Sequence, residues 1–162
     1  MKKRTAAILK VVRLRESAKL PIRAHNTDAG MDLYFSPNES IQEQIVSIMG
    51  YPVPSRESVL LSTGIKVEFP SNYMLEIKNK SGIAHKRQLV IGACVVDSGY
   101  TGELFVNLHN IGWKTQYLKA GDKIAQAILI PIEVCDIEET SEELFNKDTS
   151  RGEGGFGSTG TR

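Results

Sequence analysis

Asp97 lies between two glycine-containing stretches, the small residues Gly92-Ala93-Cys94 before it and Gly99-Tyr100-Thr101-Gly102 after it. A carboxylate in that setting can act as a general base beside a flat ligand. Residues 91–106 read as a strand, a tight Gly-Ala-Cys turn, a second strand through Val95 and Val96, an Asp-x-x-Tyr-x-Gly corner and a further strand. With no bulky side chain at 92–94, a planar group can lie against bare peptide units. Tyr100, three residues past Asp97, offers a flat face of its own. The same residues also suit a plain β-hairpin whose turn aspartate has no chemical task.

The other glycine-rich stretch is the C-terminus, Arg151-Gly152-Glu153-Gly154-Gly155-Phe156-Gly157-Ser158-Thr159-Gly160. Composition of this kind usually gives a flexible tail. Here one ring is embedded among glycines, with an arginine before it and two hydroxyls after it. Those parts would serve a mobile lid: N–H groups and hydroxyls for phosphate, and a ring to stack on a base.

The elements that must position these residues are strands. The chain has 162 residues, the size of one domain or one protomer of a small oligomer, with 41% hydrophobic and 24% charged residues. Residues 6–14 are β-branched and apolar with interspersed cations, which predicts a partly exposed strand. Asp32 begins a short strand with Leu33 and Phe35 on one face and Asp32 and Tyr34 on the other. Strands are also expected at 59–61, 65–69, 73–78, 104–108 and 124–131, with turn signals between them. Helical period is nearly absent outside residues 141–145. Residues 36–58 read as a long surface loop with an apolar tip, because Pro52 and Pro54 cannot donate to a ladder. That loop either covers a sheet edge or binds a protein partner. Short strands with frequent turns predict an all-β barrel or jelly roll.

A formal net charge of +1 gives no field suited to a nucleic-acid polymer or an anionic membrane. Cys94 and Cys135, the only cysteines, suggest neither a disulfide framework nor a Cys-rich zinc site. The apolar run after the basic N-terminus is broken by Lys10 and Arg13, and no run reaches the roughly 20 residues of a membrane helix. The expected location is cytoplasmic.

Five motifs stand in order: Ala29-Gly30-Met31-Asp32-Leu33; Lys80-Ser81-Gly82; 92–102; Gly121-Asp122-Lys123-Ile124-Ala125-Gln126; and 151–160. Together they resemble the trimeric dUTP pyrophosphatase family, from about residue 22 to the C-terminus. The resemblance implies a jelly-roll-like β body over 1–150, a flexible lid arm over 151–162, and a homotrimer with sites at subunit interfaces. It implies hydrolysis of dUTP to dUMP and pyrophosphate, which limits uracil in DNA and supplies dUMP for thymidylate synthesis.

By the same resemblance Asp97 is the base that activates water for in-line attack on the α-phosphorus. Mg²⁺ rides mainly on the triphosphate, with Asp32 acting through a coordinated water. Gly92, Ala93, Cys94, Val95 and Val96 read uracil with their backbone, and Tyr100 packs on the deoxyribose. Lys80, Ser81, Gly82 and Gln126 face the phosphates, Arg151 reaches the distal ones, Phe156 covers uracil, and Gly157, Ser158 and Thr159 wrap the phosphate chain. Three departures stand out. Lys80 replaces the usual arginine and lacks its planar fork. Cys94 stands where a smaller residue is common, and the 36–58 connection is long. The related dCTP deaminase family needs a glutamate where this chain has Asn107, which cannot be a base. A non-catalytic nucleotide binder keeping the same fold is the other alternative, although Asp97, Tyr100, Arg151 and Phe156 are all present.

Overall fold

The computed structural model describes residues 7–43, 45, 48–145 and 152. In chain order they form β1 (Lys10–Arg13), β2 (Met31–Tyr34), α1 (Glu39–Glu43), β3 (Tyr51–Val53), β4 (Ser58–Ser62), β5 (Ile65–Glu68) and β6 (Tyr73–Lys78). There follow α2 (Ser81–Arg87), β7 (Leu89–Ile91), β8 (Val95–Val96), β9 (Phe105–Asn110), β10 (Gln116–Leu118) and β11 (Lys123–Pro131). Every strand pair is antiparallel, in the sheets β2-β11-β6-β8, β4-β9-β7, β1-β5 and β10-β3. Side chains such as Phe35, Leu61, Ile65, Leu75, Ile77 and Leu108 are buried between them in one core. β5 shows the period-two logic most plainly: Ile65 and Val67 are buried while Lys66 and Glu68 face out.

The sequence pattern and the fold part company at several places. Residues 92–94 do not turn a hairpin: β7 pairs with β9 and β8 pairs with β6, so the segment passes from one sheet to the other. Small residues suit both arrangements, and pattern alone does not distinguish them. Residues 51–53 form a strand despite Pro52, which lies opposite Tyr117. Among the described residues β3 has β10 as its single strand partner, so a residue without an N–H is tolerated there. The stretch 36–58 is therefore no bare surface loop. Ile41 and Val53 are buried, the Tyr51 ring packs 5.9 Å from that of Phe35, and Asn38 Oδ1 caps α1 by accepting from Ile41 N at 3.0 Å.

α2 is the third difference. Seven residues give two turns, Gly82 falls in the first, and Ile83 packs against the core, which leaves no apolar period to read. Gln88, at φ 54°, stops the helix in the left-handed region. Residues 141–145, where helical period was expected, make one turn through Leu144 N and Phe145 N to Ser141 O. Leu144 and Phe145 are exposed, so among the described residues no core contact extends it. Fourth, all four residues of β2 are buried, Asp32 included. β2 is flanked by β11 on one side and by an Ile22–Asp32 bridge on the other.

Candidate active site

One cluster forms around Asp32. β2 and β11 pair with a bulge between Lys123 and Ala125, so Lys123 lies opposite Tyr34 and Gln126 opposite Asp32. Residues 123 and 126 would face opposite sides of a regular strand; the bulge brings both to the face that carries Asp32. Lys123 Nζ reaches Asp32 Oδ2 at 2.7 Å, and Lys80 Nζ, just past β6, reaches Oδ1 at 2.6 Å. Burial opposes the charge of Asp32, but the hydrogen bonds and charges of Lys123 and Lys80 outweigh it and hold the carboxyl below its ordinary value. The same contact raises the Lys123 ammonium, through hydrogen bonding first and charge second.

Gln126 Nε2 donates to Asn79 O at 2.9 Å, and Asn79 Oδ1 accepts from Ile91 N at 2.7 Å. A side chain at Gly30 would clash with Gln126, so this glycine makes room for the amide. Ser81 and Gly82 open α2, where their N–H groups fall outside the helix's own ladder. A Cβ at Gly82 would meet nothing within 4 Å. Two ammonium groups, a carboxamide and free-end peptide donors make this corner suited to anionic oxygens.

The second cluster lies on β7, β8 and the corner after them. Gly92 N donates to Asn107 O at 3.0 Å, and Ile77 N donates to Cys94 O at 2.7 Å. Ala93 N donates to Asn107 Oδ1 at 3.3 Å, while Asn107 Nδ2 donates to Val59 O at 3.3 Å. With Oδ1 thus the acceptor, His109 Nε2, 3.0 Å away, is the donor to it. Gly92 N, Ala93 N and Cys94 O are spent inside the chain, which leaves the other peptide groups of 92–96 to meet a ligand. Asn107 is a residue that sequence reasoning missed as part of the site. Its position two residues before His109 on one strand face was the available signal.

Asp97 is exposed at the end of β8, and its carbonyl accepts Tyr100 N at 3.1 Å. Tyr100 is 45% exposed, and its hydroxyl donates to Glu103 O at 2.8 Å. A cavity of about 200 Å³ is lined by Ala93, Val95, Val96, Asp97 and Tyr100 together with Ile77, Leu104 and Phe105. It can hold a small flat body with one carboxylate beside it. A larger cleft, about 570 Å³, lies between Leu14, Arg15 and the start of α1, away from all the candidate residues.

The structure therefore sorts the expected residues into two groups. Asp32, Lys80, Ser81, Gly82 and Gln126 share one corner; Ala93, Val95, Val96, Asp97 and Tyr100 share the cavity, with Gly92 and Cys94 in its supporting segment. Across the sheet β2-β11-β6-β8, Asp32 stands three strand spacings from β8, about 14 Å. Arg151, Phe156, Gly157, Ser158 and Thr159 lie outside the described residues.

Known proteins carry the same pattern. The family model for dUTPase matches residues 16–160. The chain belongs to the dUTPase family. Membership makes it a hydrolase of the dUTP diphosphatase type. The deoxyuridine 5'-triphosphate nucleotidohydrolase of Clostridium kluyveri is 41% identical over 94% of this chain and 98% of its own. That of Rattus norvegicus is 40% identical over 95% of this chain and 68% of its own. The dUTPase of Staphylococcus bacteriophage 80alpha, in a mutant solved with dUpNHpp, superposes with a TM-score of 0.80 at 25% identity, covering 94% of this chain and 98% of that one. A mutant dUTPase from phage phi11 of S. aureus, which coordinates a structural Mg(II) ion, has a TM-score of 0.70 at 25% identity over 83% of this chain and 97% of that one. The all-β jelly-roll-like architecture is that of these dUTPases.

Proposed function

We propose that this chain hydrolyses dUTP to dUMP and pyrophosphate, with Asp97 as the base. The observation that carries this reading is the exposed Asp97 carboxylate at a small, largely apolar cavity walled by Ala93–Val96 backbone and the Tyr100 ring. Asp97 takes a proton from a water whose oxygen bonds the α-phosphorus in line; the bond from that phosphorus to the α–β bridging oxygen breaks, and pyrophosphate leaves. Uracil sits against the peptide groups of 92–96, and the rigid anchoring of that segment by Asn107 and Ile77 supports rejection of a thymine methyl by clash. Tyr100 packs on the deoxyribose.

Lys80, Gln126 and the N–H groups of Ser81 and Gly82 face the phosphates. Arg151 and Phe156, with Gly157, Ser158 and Thr159, close the site as a lid. Among the described residues no group of three His, Cys, Asp or Glu could hold a metal. An Mg²⁺ carried by the triphosphate would take most of its ligands from phosphate oxygens and water, and would neutralise charge on the leaving pyrophosphate. Both oxygens of Asp32 already meet lysine ammonium groups, so Asp32 would hold such an ion through a water.

The working unit is a homotrimer. The resemblance to the trimeric family supports completion of each site by another copy. Exposed Leu60, Ile132, Val134 and Ile137 supply apolar surface for such contacts. A protein partner for residues 36–58 is a separate proposal, tested by recovery of partners with that segment shortened. Pyrophosphate release from dUTP, dCTP, dTTP and UTP, with Mg²⁺ and with chelator, tests the main reading. Mg²⁺-dependent release from dUTP alone is expected; ammonia from dCTP, or binding of dUTP without turnover, would overturn it.

A further inference from the structure

We propose that Arg15 and Glu103 are a positioning pair that sets the pose of Tyr100 against the nucleotide. Arg15 follows β1 and Glu103 precedes β9, 88 residues along the chain, yet their side chains meet with only 22% and 14% exposure. Arg15 Nη2 donates to Glu103 Oε1, and the same oxygen accepts Gly64 N at 2.7 Å. The rest of the guanidinium is fixed by Ser36, whose carbonyl accepts Nη2 at 3.0 Å and Nε at 3.3 Å and whose hydroxyl lies 3.2 Å from Nε. A planar fork held at Ser36 and at Glu103 leaves the carboxylate one place to be.

That fixed residue in turn fixes Tyr100. The Glu103 carbonyl accepts the Tyr100 hydroxyl at 2.8 Å, and a side chain at Gly102 would clash with that hydroxyl, so the ring lies close over Gly102. The next residue is tied as firmly: Leu104 N donates to Ile65 O at 2.8 Å, and Leu104 O accepts Thr63 Oγ1 at 2.6 Å. Tyr100 is otherwise an exposed ring on a corner of small residues. Its pose is inherited from Glu103, and that of Glu103 from Arg15. A largely buried ion pair is weak evidence for stability but a good way to enforce one loop arrangement. Asp97 meets Tyr100 through its backbone carbonyl and not through its carboxylate, so the pair governs sugar binding and selectivity while the chemical step stays with the Asp97 carboxylate.

The inference rests on the dUTP reading, and its test separates the two. Steady-state constants for dUTP and UTP would be measured for wild type, Arg15→Met, Glu103→Gln, Tyr100→Phe and the Arg15→Met/Tyr100→Phe double variant. Each single change is expected to raise KM for dUTP about tenfold at most, the size one lost hydrogen bond allows. kcat should stay within about twofold, and the preference for dUTP over UTP should fall. The double variant should be no worse than its worse parent, because both changes cut the same chain of contacts. Unmoved KM and preference, or fully additive losses in the double variant, would overturn the positioning role. If Arg15→Met does not fold, Arg15→Lys replaces it with the same expected direction, since it keeps one donor and loses the fork. No dUTP turnover by wild type would instead sink the proposed function.

Discussion

Asn107 occupies the space beside Gly92. Its backbone oxygen accepts Gly92 N, its side-chain oxygen accepts Ala93 N, and a Cβ built on Gly92 would clash with that oxygen and with His109 Nε2. The candidate base-reading segment is thus held from β9 rather than by pairing across its own turn. Gly92→Ala must push either the segment or Asn107 aside. The expected result is a loss of about 1–3 kcal/mol in denaturant unfolding, the usual cost of overpacking, with a raised KM for dUTP. Unchanged stability and KM would show that the segment has slack that the geometry denies.

Gly82 gives the opposite case. Nothing within 4 Å would meet its Cβ, and its φ is not in the left-handed region. Gly82→Ala should therefore leave the unfolding midpoint within error, or raise it slightly, since alanine restricts the unfolded chain. Turnover of dUTP should nevertheless fall, because the open space at the start of α2 is where the phosphates are proposed to approach. Full activity in this variant would remove Gly82 from the phosphate contacts.

How far the sequence revealed these arrangements depends on what each residue advertises. β5 announced itself through strict alternation, and the strands at 73–78 and 124–131 through apolar runs between turns. β3 did not, because Pro52 signals a break unless one knows that β3 has one partner strand. α2 did not, because two turns with a single packed side chain, Ile83, carry no period. The parts of the candidate site that pattern alone could single out were residues whose types are chemical in themselves, such as Asp97, Tyr100 and Asp32. Asn107, Arg15 and Glu103 act by touching segments distant in sequence, and a single chain's pattern does not encode such contacts. The bulge at residue 124 is the same kind of feature: it decides that Lys123 and Gln126 share a face, and nothing local marks it.

Asp32 links acid stability to its ion pairs with Lys80 and Lys123. Its folded pKa is lowered despite burial, by Lys123 and Lys80, so it binds its proton less readily folded than unfolded. The resulting stability is fully present above the unfolded value, near ~3.9, and is lost as pH falls through the folded pKa. Asp32→Asn should be less stable than wild type near neutral pH, and the gap should close below about pH 4. Equilibrium unfolding as a function of pH checks this. A gap that persists unchanged into acid would mean that the ion pairs to Lys80 and Lys123 are not its source.

Asp97→Asn should abolish turnover while leaving binding of a non-hydrolysable dUTP analogue and the unfolding midpoint nearly unchanged. The carboxylate is exposed, and the bond to Tyr100 uses the backbone carbonyl of residue 97, which the substitution keeps. Calorimetric binding beside a turnover assay separates the two effects. Wild-type rates would remove the base assignment, and lost binding would show that the side chain positions the nucleotide instead.

The separation of the Asp32 corner from the Asp97 cavity gives the sharpest test of shared sites. Asp97→Asn lacks the proposed base, and Lys80→Ala lacks a proposed phosphate contact together with the partner of Asp32 Oδ1. Each variant alone should turn dUTP over poorly. If a site takes its base from one copy and its phosphate contacts from another, a site in mixed oligomers is intact when Asp97 comes from a Lys80→Ala chain and Lys80 from an Asp97→Asn chain. Random assembly at equal concentrations makes about a quarter of the sites intact, so unfolding and refolding the variants together should recover about that share of wild-type activity. If each chain completes its own site, every site in the mixture keeps one defect and no recovery occurs. Light scattering on the same samples fixes the number of copies, and a monomeric mass would overturn shared sites regardless of the rates.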